Sequence, residues 1–362
     1  MIHIIYDQQT ETEMAKYQEI CEILSERIEN GDYAGGRIPP LRKLAEDMGV
    51  SYLTARQAVN LLKEKGVVGA SSSGRSVHVN GSGTVHPLVA LITPFWHFSE
   101  WHATINEKVK ECGGLLRIFA FATETDPIIN EALNEEFDLI FIELPANPNA
   151  RLLERVAKLK KKAVVMFQDR TDYGIRSVLG APVESISLFM KKLKDAGAKR
   201  IDMITPEPEN NFNLNERRNV WQKALKTYHL TGICHTYQAQ RFKHNQITAK
   251  QLCSELLENP SLPDAIFCAG HDIAIGLYRA CYEKGIRIGR DVSVFCFGAD
   301  NDCKLMTPAL ATVVNHGVAE LLEQIIRQYC PGNQITDQLL YQLETMEIFE
   351  GESLNIEKRS DQ

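Results

Sequence analysis

Ile38–Val68 reads IPPLRKLAEDMGVSYLTARQAVNLLKEKGVV, and this stretch decides the character of the amino-terminal part of the chain. Pro39-Pro40 opens a short helix, since proline suits a first helical turn, and Leu41, Leu44, Ala45 and Met48 share one apolar face. Gly49 stops it. Ser51 is a good N-cap for the next helix, in which Ala55, Ala58, Val59 and Leu62 form the core stripe. The opposite face carries Tyr52, Arg56, Gln57, Asn60 and Lys63, and Lys65-Gly66 ends the helix. Upstream, Tyr17, Ile20, Cys21, Leu24 and Ile28 predict an amphipathic helix that ends near Asn30-Gly31. Downstream, Val67-Val68, the polar run Ser71–Gly74, then Val77 and Val79 predict a two-stranded hairpin, a wing.

Two short helices flanking a glycine set the third helix across the second, with its N–H-bearing end at Ser51 turned toward a phosphate. Arg56 and Gln57, one turn in, then reach base edges in a major groove, while Arg42 and Lys43 before them and Gly74-Arg75 on the wing meet phosphates or the minor groove. An isolated arginine is ordinarily a solvated helix-face charge. Here the spacing of the whole set favours double-stranded DNA. Local charge agrees: from Met1 to Gly36 two basic residues stand against eight acidic ones, but from Arg37 to Asn80 seven basic residues stand against three. The overall net charge of −7 hides this contrast.

The segments Ile38–Ala45, Gly49–Ala58 and Leu62–Val68 resemble the GntR winged-helix domain, over about Tyr17 to Val79. That resemblance implies operator contacts at Arg42, Ser51, Thr54 and Arg56, and at the glycine-containing wing tip, here Gly74-Arg75. Tyr52 stands where the family often has arginine or lysine, and Ser76 replaces a usual wing glycine.

A chain of 362 residues is too long for one ordinary core. Hydrophobic residues at 44% and charged residues at 24% exclude disordered and fibrous classes. The start lacks the pattern of a secretory signal, no run reaches about 18 apolar residues, and nine cysteines are scattered without a C-x-x-C pair. A cytoplasmic protein with reduced, mostly buried thiols is expected, with no membrane partner. The glycine-rich Asn80–Thr84 marks a linker, which places a winged helix-turn-helix domain at 1–79, the linker at 80–86 and a larger domain at 87–362. Beyond it, strand-like runs at 88–93, 115–121, 138–143, 163–167, 200–205, 264–268 and 292–297 alternate with helical stretches. The class is α/β: a small α+β winged helix, then two lobes with parallel sheets and a ligand cleft at the carboxyl ends of their strands. The short segment between the first and third strands predicts a trimmed first lobe.

The stretch Pro263–Ala269 with Ala274-Ile275-Gly276, Gly285-Ile286, Asp291–Val294 and Thr307–Val313 resembles the LacI/GalR regulators, whose effector domain is periplasmic-binding-protein-like. Fusion of the two modules is similar to the AraR type of repressor. The resemblance implies a sugar or sugar-derived effector, with Asp169 and Arg217 at ligand-contacting positions and Phe95 and Trp96 lining the cleft after the first strand. Such residues suit a polyol: charged groups for several hydrogen bonds, aromatic faces for the apolar side. Departures point to an altered ligand: Gly270-His271 replaces Asn-Asp, Gly298-Ala299 lies where two aspartates are usual, and Ala181-Pro182 replaces Asp-Asn. Asp272 and Asp300 are candidate replacements from shifted positions, and His271 suits an acidic or phosphorylated ligand or a structural helix start alike. Trp96 and Trp101 are as consistent with ordinary packing.

An enzyme with an accessory winged helix, or a regulator of a non-sugar effector, is the competing reading. Against the enzyme, the chain has no G-x-S-x-G, P-loop or H-E-x-x-H motif. His97, Glu100 and His102 are ordinary cleft-mouth residues as well as formal metal ligands, and no metal or cofactor is expected. One winged helix makes few contacts, so a homodimer reading a palindrome is expected.

Overall fold

The computed structural model describes every residue except 1, 31, 34–35, 71–76, 80–86, 96–98, 124, 146–147, 208–211, 240–244, 260, 299, 331 and 355–362. The side chains of 2–15, 70, 78–79, 212 and 300 are likewise not described. The predicted wing tip with Gly74 and Arg75, the linker 80–86, Trp96, His97 and Ala299 therefore lie outside the described residues. The chain divides into two compact units: Met1–Leu88 with Val109–Leu116 and Arg327–Gln334, and Val89–Lys108 with Arg117–Ile326 and Ile335–Gln362.

In the first unit α1 spans Ile2–Glu29, well beyond the predicted start, then β1 Arg37–Ile38, α2 Leu41–Asp47, α3 Tyr52–Glu64, β2 Val68–Ala70 and β3 Val77–Val79 follow. Ile20, Cys21, Leu24, Leu44, Ala55, Ala58 and Leu62 are all buried in one core. Alanines at 55 and 58 allow α3 to pack closely, and Gly49 takes φ +61, a left-handed turn that a side chain resists, between α2 and α3. The hairpin is antiparallel, pairing Val68 with Val79 and Ala70 with Val77. It gains a third strand not anticipated from sequence, because β1 pairs Ile38 with Val77.

The remaining chain builds two mostly parallel sheets, the last strand of the second running antiparallel to its neighbour. Its first half runs β4 Leu88–Pro94, α4 Glu100–Glu111, β5 Leu115–Phe121, α5 Pro127–Asn134, β6 Leu139–Glu143, α6 Ala150–Lys158, β7 Ala163–Met166 and β8 Arg176–Leu179. The second half runs α7 Ile186–Asp195, β9 Ile201–Pro206, α8 Phe212–Thr227, β10 Cys234–Tyr237, α9 Gln246–Leu256, β11 Ala265–Cys268, α10 His271–Lys284, β12 Ser293–Cys296, α11 Asp300–Leu305, β13 Ala311–Val314, α12 Val318–Arg327, β14 Leu340–Gln342 and β15 Glu347–Phe349. The strand orders are β14-β8-β7-β6-β4-β5 and β10-β9-β11-β12-β13-β15. Six strands in each sheet overturn the expectation of a trimmed first lobe: β8 and the late strand β14, both short, complete it. β6, β7, β11, β12 and β13 are buried along their whole length, as strands covered on both faces must be. In the second lobe Phe189 and Phe267 both stack on Phe295, with ring centroids 4.8 and 5.0 Å away.

Sheet membership makes the chain pass between the lobes three times, after β8, after β13 and after β14. Asn315, in the second crossing, accepts the Ala181 N–H of the first at 2.8 Å. The third crossing joins them, since the Leu343 N–H donates to the Leu179 carbonyl at 3.4 Å.

Candidate functional sites

The Ser51 side chain accepts the Thr54 N–H at 3.1 Å, and the Ser51 and Thr54 hydroxyls share a hydrogen bond of 2.8 Å. This satisfies one of the free donors at the start of α3 and leaves others for a phosphate. Arg42, Lys43, Tyr52, Arg56 and Gln57 are exposed on α2 and α3, as read from the sequence. Thr54 is not: it is only 7% exposed, and its hydroxyl shares a hydrogen bond with Ser51. Tyr52 and Leu53 are large apolar side chains about half exposed at the tip of α3, and Leu53 escaped the sequence reading because it falls between the polar and core stripes.

In the larger domain the candidate effector residues gather at the carboxyl ends of strands. Arg217, on α8, donates from Nη1 to the Ala269 carbonyl just past β11 at 2.5 Å, and its guanidinium carbon lies 4.4 Å from the centre of the Phe297 ring just past β12. Burial pushes its pKa down to about 10, although the neighbouring Cys296 and Glu216 act the other way. Arg217 thus remains charged at neutral pH beside an aromatic face, the pairing a polyol site requires.

His271 opens α10 directly after Gly270, and its Nε2 is buried without a partner among the described residues. Burial lowers its pKa, against the pull of Asp302 and Asp272, so the ring is neutral near pH 7. Asp272 accepts a hydrogen bond from Gln246 at 3.2 Å. Asp169 follows β7, but its Oδ1 accepts the Thr171 N–H at 2.9 Å and the Thr171 hydroxyl at 2.7 Å, which makes it a loop cap first. Glu216 feels Glu184 and Asp169; burial and these two carboxylates raise its pKa despite Arg217. Phe95 stands 63% exposed after β4, whereas Trp101 is buried edge-on against Phe167, centroids 5.1 Å apart, and belongs to the packing. Backbone α11 begins at Asp300, whose side chain is not described.

One network was missed from the sequence. Glu143, last residue of β6, accepts the Thr93 hydroxyl at 3.0 Å and holds His102 Nε2, while His102 Nδ1 accepts the Ser99 N–H at 2.9 Å. Both charged-type side chains are buried. The bonds leave the ring as the Nε2–H tautomer and tie Ser99 to it at the entry to α4. They also remove His102 from the suggested metal grouping, and no cluster of metal-ligand residues occurs among the described residues. The available signal was a glutamate ending the otherwise apolar LIFIE.

Bacterial regulatory proteins of the gntR family match residues 16–79, and the periplasmic binding protein-like domain matches residues 190–329. The chain thus joins a segment that matches the gntR family to one that matches the periplasmic binding protein-like domain. It is similar to the probable HTH-type transcriptional repressor ExuR of Bacillus subtilis (strain 168), 28% identical over 150 residues, 41% of this chain and 44% of that protein. It is also similar to the HTH-type transcriptional regulator AglR of Rhizobium meliloti (strain 1021), 23% identical over 285 residues, 70% of this chain and 76% of that protein. The chain thus spans less than half the length of ExuR. A solved LacI family transcriptional regulator from Arthrobacter sp. FB24, in complex with lactose, superposes with a TM-score of 0.61 at 14% identity, covering 74% of this chain and 99% of that one. That likeness shows the fold. The gntR family and both of these relatives are regulatory proteins. No helix among the described residues is long and apolar enough to cross a membrane.

Proposed function

We propose that this chain is a cytoplasmic, homodimeric repressor that grips operator DNA through its winged helix and releases it when a sugar or sugar-derived effector binds the two-lobed domain. The observation that carries the reading is the pairing of a Ser51-capped α3, exposing Arg56 and Gln57, with a charged arginine stacked on Phe297 at the carboxyl ends of a parallel sheet. The working division is a DNA-binding domain at 1–79, a linker at 80–86 and an effector and dimerisation domain at 87–362.

Arg56 and Gln57 read base edges, Arg42, Lys43 and the Gly74-Arg75 wing tip hold phosphates, and Tyr52 with Leu53 offers apolar contact to a thymine methyl. Ser51 presents the helix end, and Thr54 holds Ser51. In the cleft, Arg217 and Phe297 grasp the effector, with Phe95, Trp96, Asp169, His271, Asp272 and Asp300 around it. Closure bends the three crossings, and the change in dimer geometry moves the winged helices out of register with the palindrome.

The test is fluorescence anisotropy on DNA from upstream of the protein's own gene, at 50 to 200 mM salt. Affinity is expected to fall by about a thousandfold over that range if some six phosphates are contacted, and a sugar or sugar acid from a thermal-shift panel is expected to release the DNA. A salt-insensitive complex, or a panel in which no member stabilises the protein or alters its DNA binding, overturns the reading.

A further inference from the structure

Two hydroxyls of the second lobe, Thr205 Oγ1 and Ser185 Oγ, belong to wholly buried residues and have no hydrogen-bond partner among the described residues. Buried polar groups are nearly always paired, and an orphan costs free energy unless something else completes it. Both hydroxyls lie close to where Arg217 acts. Met203, Phe267 and Phe295 stand in register across β9, β11 and β12, and Thr205, two residues after Met203, points to the same face. That face is the one α7 covers, through Phe189 stacked on Phe295, and Phe297, two beyond Phe295, lies under the Arg217 guanidinium. Ser185 closes the turn Val183–Ser185 that leads into α7, and this turn packs against α8, the helix that carries Arg217.

These groups make one chemical set. Arg217 gives one N–H to the Ala269 carbonyl and keeps the other donors of its planar fork, and each hydroxyl adds an O–H. A carboxylate, acceptor-only and with two oxygens, matches such a set of donors. The border of the set is acidic: in the chain Glu216 precedes Arg217 and Glu184 precedes Ser185. Burial, with the fields of Glu184 and Asp169, holds Glu216 above the usual carboxylate range, against the pull of Arg217. Acidic side chains accept from sugar hydroxyls, but they repel a second negative charge.

We propose that the effector is a sugar acid with a single carboxylate, seated on Arg217, Thr205 and Ser185 with its hydroxyls toward Glu216 and Asp169. This names the class of ligand for the cleft described above and rests on that reading. A neutral sugar leaves the fork and the two buried hydroxyls without a charged acceptor, and a site built for that partner discriminates against ligands that lack it. A sugar phosphate supplies the acceptor oxygens but sets a further charge against Glu184 and Glu216.

The experiment is titration calorimetry on the full chain with matched probes built on glucose, galactose and arabinose, each as the neutral sugar, its one-carboxylate acids and its phosphate ester. At least one acid is expected to bind about 100-fold more tightly than its parent sugar and than the phosphate ester. Thr205→Val and Ser185→Ala are each expected to weaken that acid about tenfold and the parent sugar much less. In both variants the midpoint of urea unfolding without ligand should stay the same or rise, because each change removes an unpaired hydroxyl. A neutral sugar or a phosphate ester that binds as well as the acid overturns the class. An acid whose affinity survives both substitutions overturns the seat. A panel in which nothing binds overturns the class together with the effector reading, whereas an acid that binds without releasing DNA upholds the class and overturns only the repressor reading.

Discussion

Arg217 is held between a backbone carbonyl and a ring: Ala269 takes one of its N–H groups, and Phe297 lies beneath the guanidinium plane at 4.4 Å. The remaining donors of the fork are what an effector with several oxygens needs. Arg217→Ala is expected to raise the effector concentration needed for release by about 100-fold, on the scale of losing two charge-assisted hydrogen bonds. DNA affinity without effector should stay within about twofold. Titrating release of labelled DNA in both proteins checks this; parallel curves with the same midpoint contradict it.

Arg56→Ala is expected to cost about 1–3 kcal/mol on the cognate operator and much less on unrelated DNA, because a base contact is lost. Arg42→Ala should weaken both equally and reduce the salt slope by about one, because a phosphate contact is lost. Anisotropy titrations on two DNA sequences at three salt concentrations separate the two patterns.

The Ser51–Thr54 hydroxyl pair makes a prediction about coupling. Ser51→Ala is expected to destabilise the winged helix by about 1 kcal/mol through its lost cap, and Thr54→Val to weaken DNA binding only while Ser51 is present. In a double-mutant cycle read by DNA affinity the two effects should be clearly non-additive. Full additivity would mean that Thr54 meets DNA on its own account.

At the crossings, Asn315 accepts from Ala181, and a Cβ on Gly180 would stand 2.7 Å from the same Asn315 oxygen. Gly180→Ala is therefore expected to displace that bond and shift the effector midpoint about 3- to 10-fold, with a stability loss of about 1–2 kcal/mol. Calorimetry with effector, alongside urea unfolding, distinguishes a hinge effect from simple destabilisation.

Asp202 predicts the response to acid. Burial alone would push its carboxyl up, but hydrogen bonds from His235 at 2.9 Å, from Arg200 at 2.7 and 3.0 Å and from the Ile233 N–H at 3.0 Å hold it below the usual range. A depressed folded-state pKa means that its stabilisation is complete above the unfolded value, about 3.9, and is lost as pH falls through the folded value. Asp202→Asn should cost about 1–3 kcal/mol at pH 7, moderated by the partial exposure of Arg200 and His235. That gap should close as the pH drops below 4, which urea unfolding across pH 3 to 7 measures.

Much of this was legible because short-range chemistry dictated it. The Ser51 cap, the Ala55–Ala58–Leu62 stripe and the largely apolar runs of β6, β11 and β12 announce themselves locally. What stayed hidden depends on partners far along the chain. β1 is two residues long and exists because Val77 returns to it. β14 and β15 carry exposed residues on short edge strands, so their patterns match no template. Asp169 was legible as an acid after a strand, open to a ligand or a loop-cap role, whereas Glu143 with His102 is a pairing across 41 residues. Thr54 shows the same limit in small: its position in the helix was clear, its inward hydroxyl was not.

The late return of the chain has a consequence for its birth on the ribosome. The first lobe's sheet is completed by Leu340–Gln342 and the second's by Glu347–Phe349, whereas the winged helix holds all of its strands before Leu88. During synthesis the winged helix is free to fold while both lobes still wait, with bare sheet edges, for β14 and β15 to emerge. A nascent chain stalled before Leu340 would therefore carry a formed winged helix beside two lobes whose sheets are unfinished.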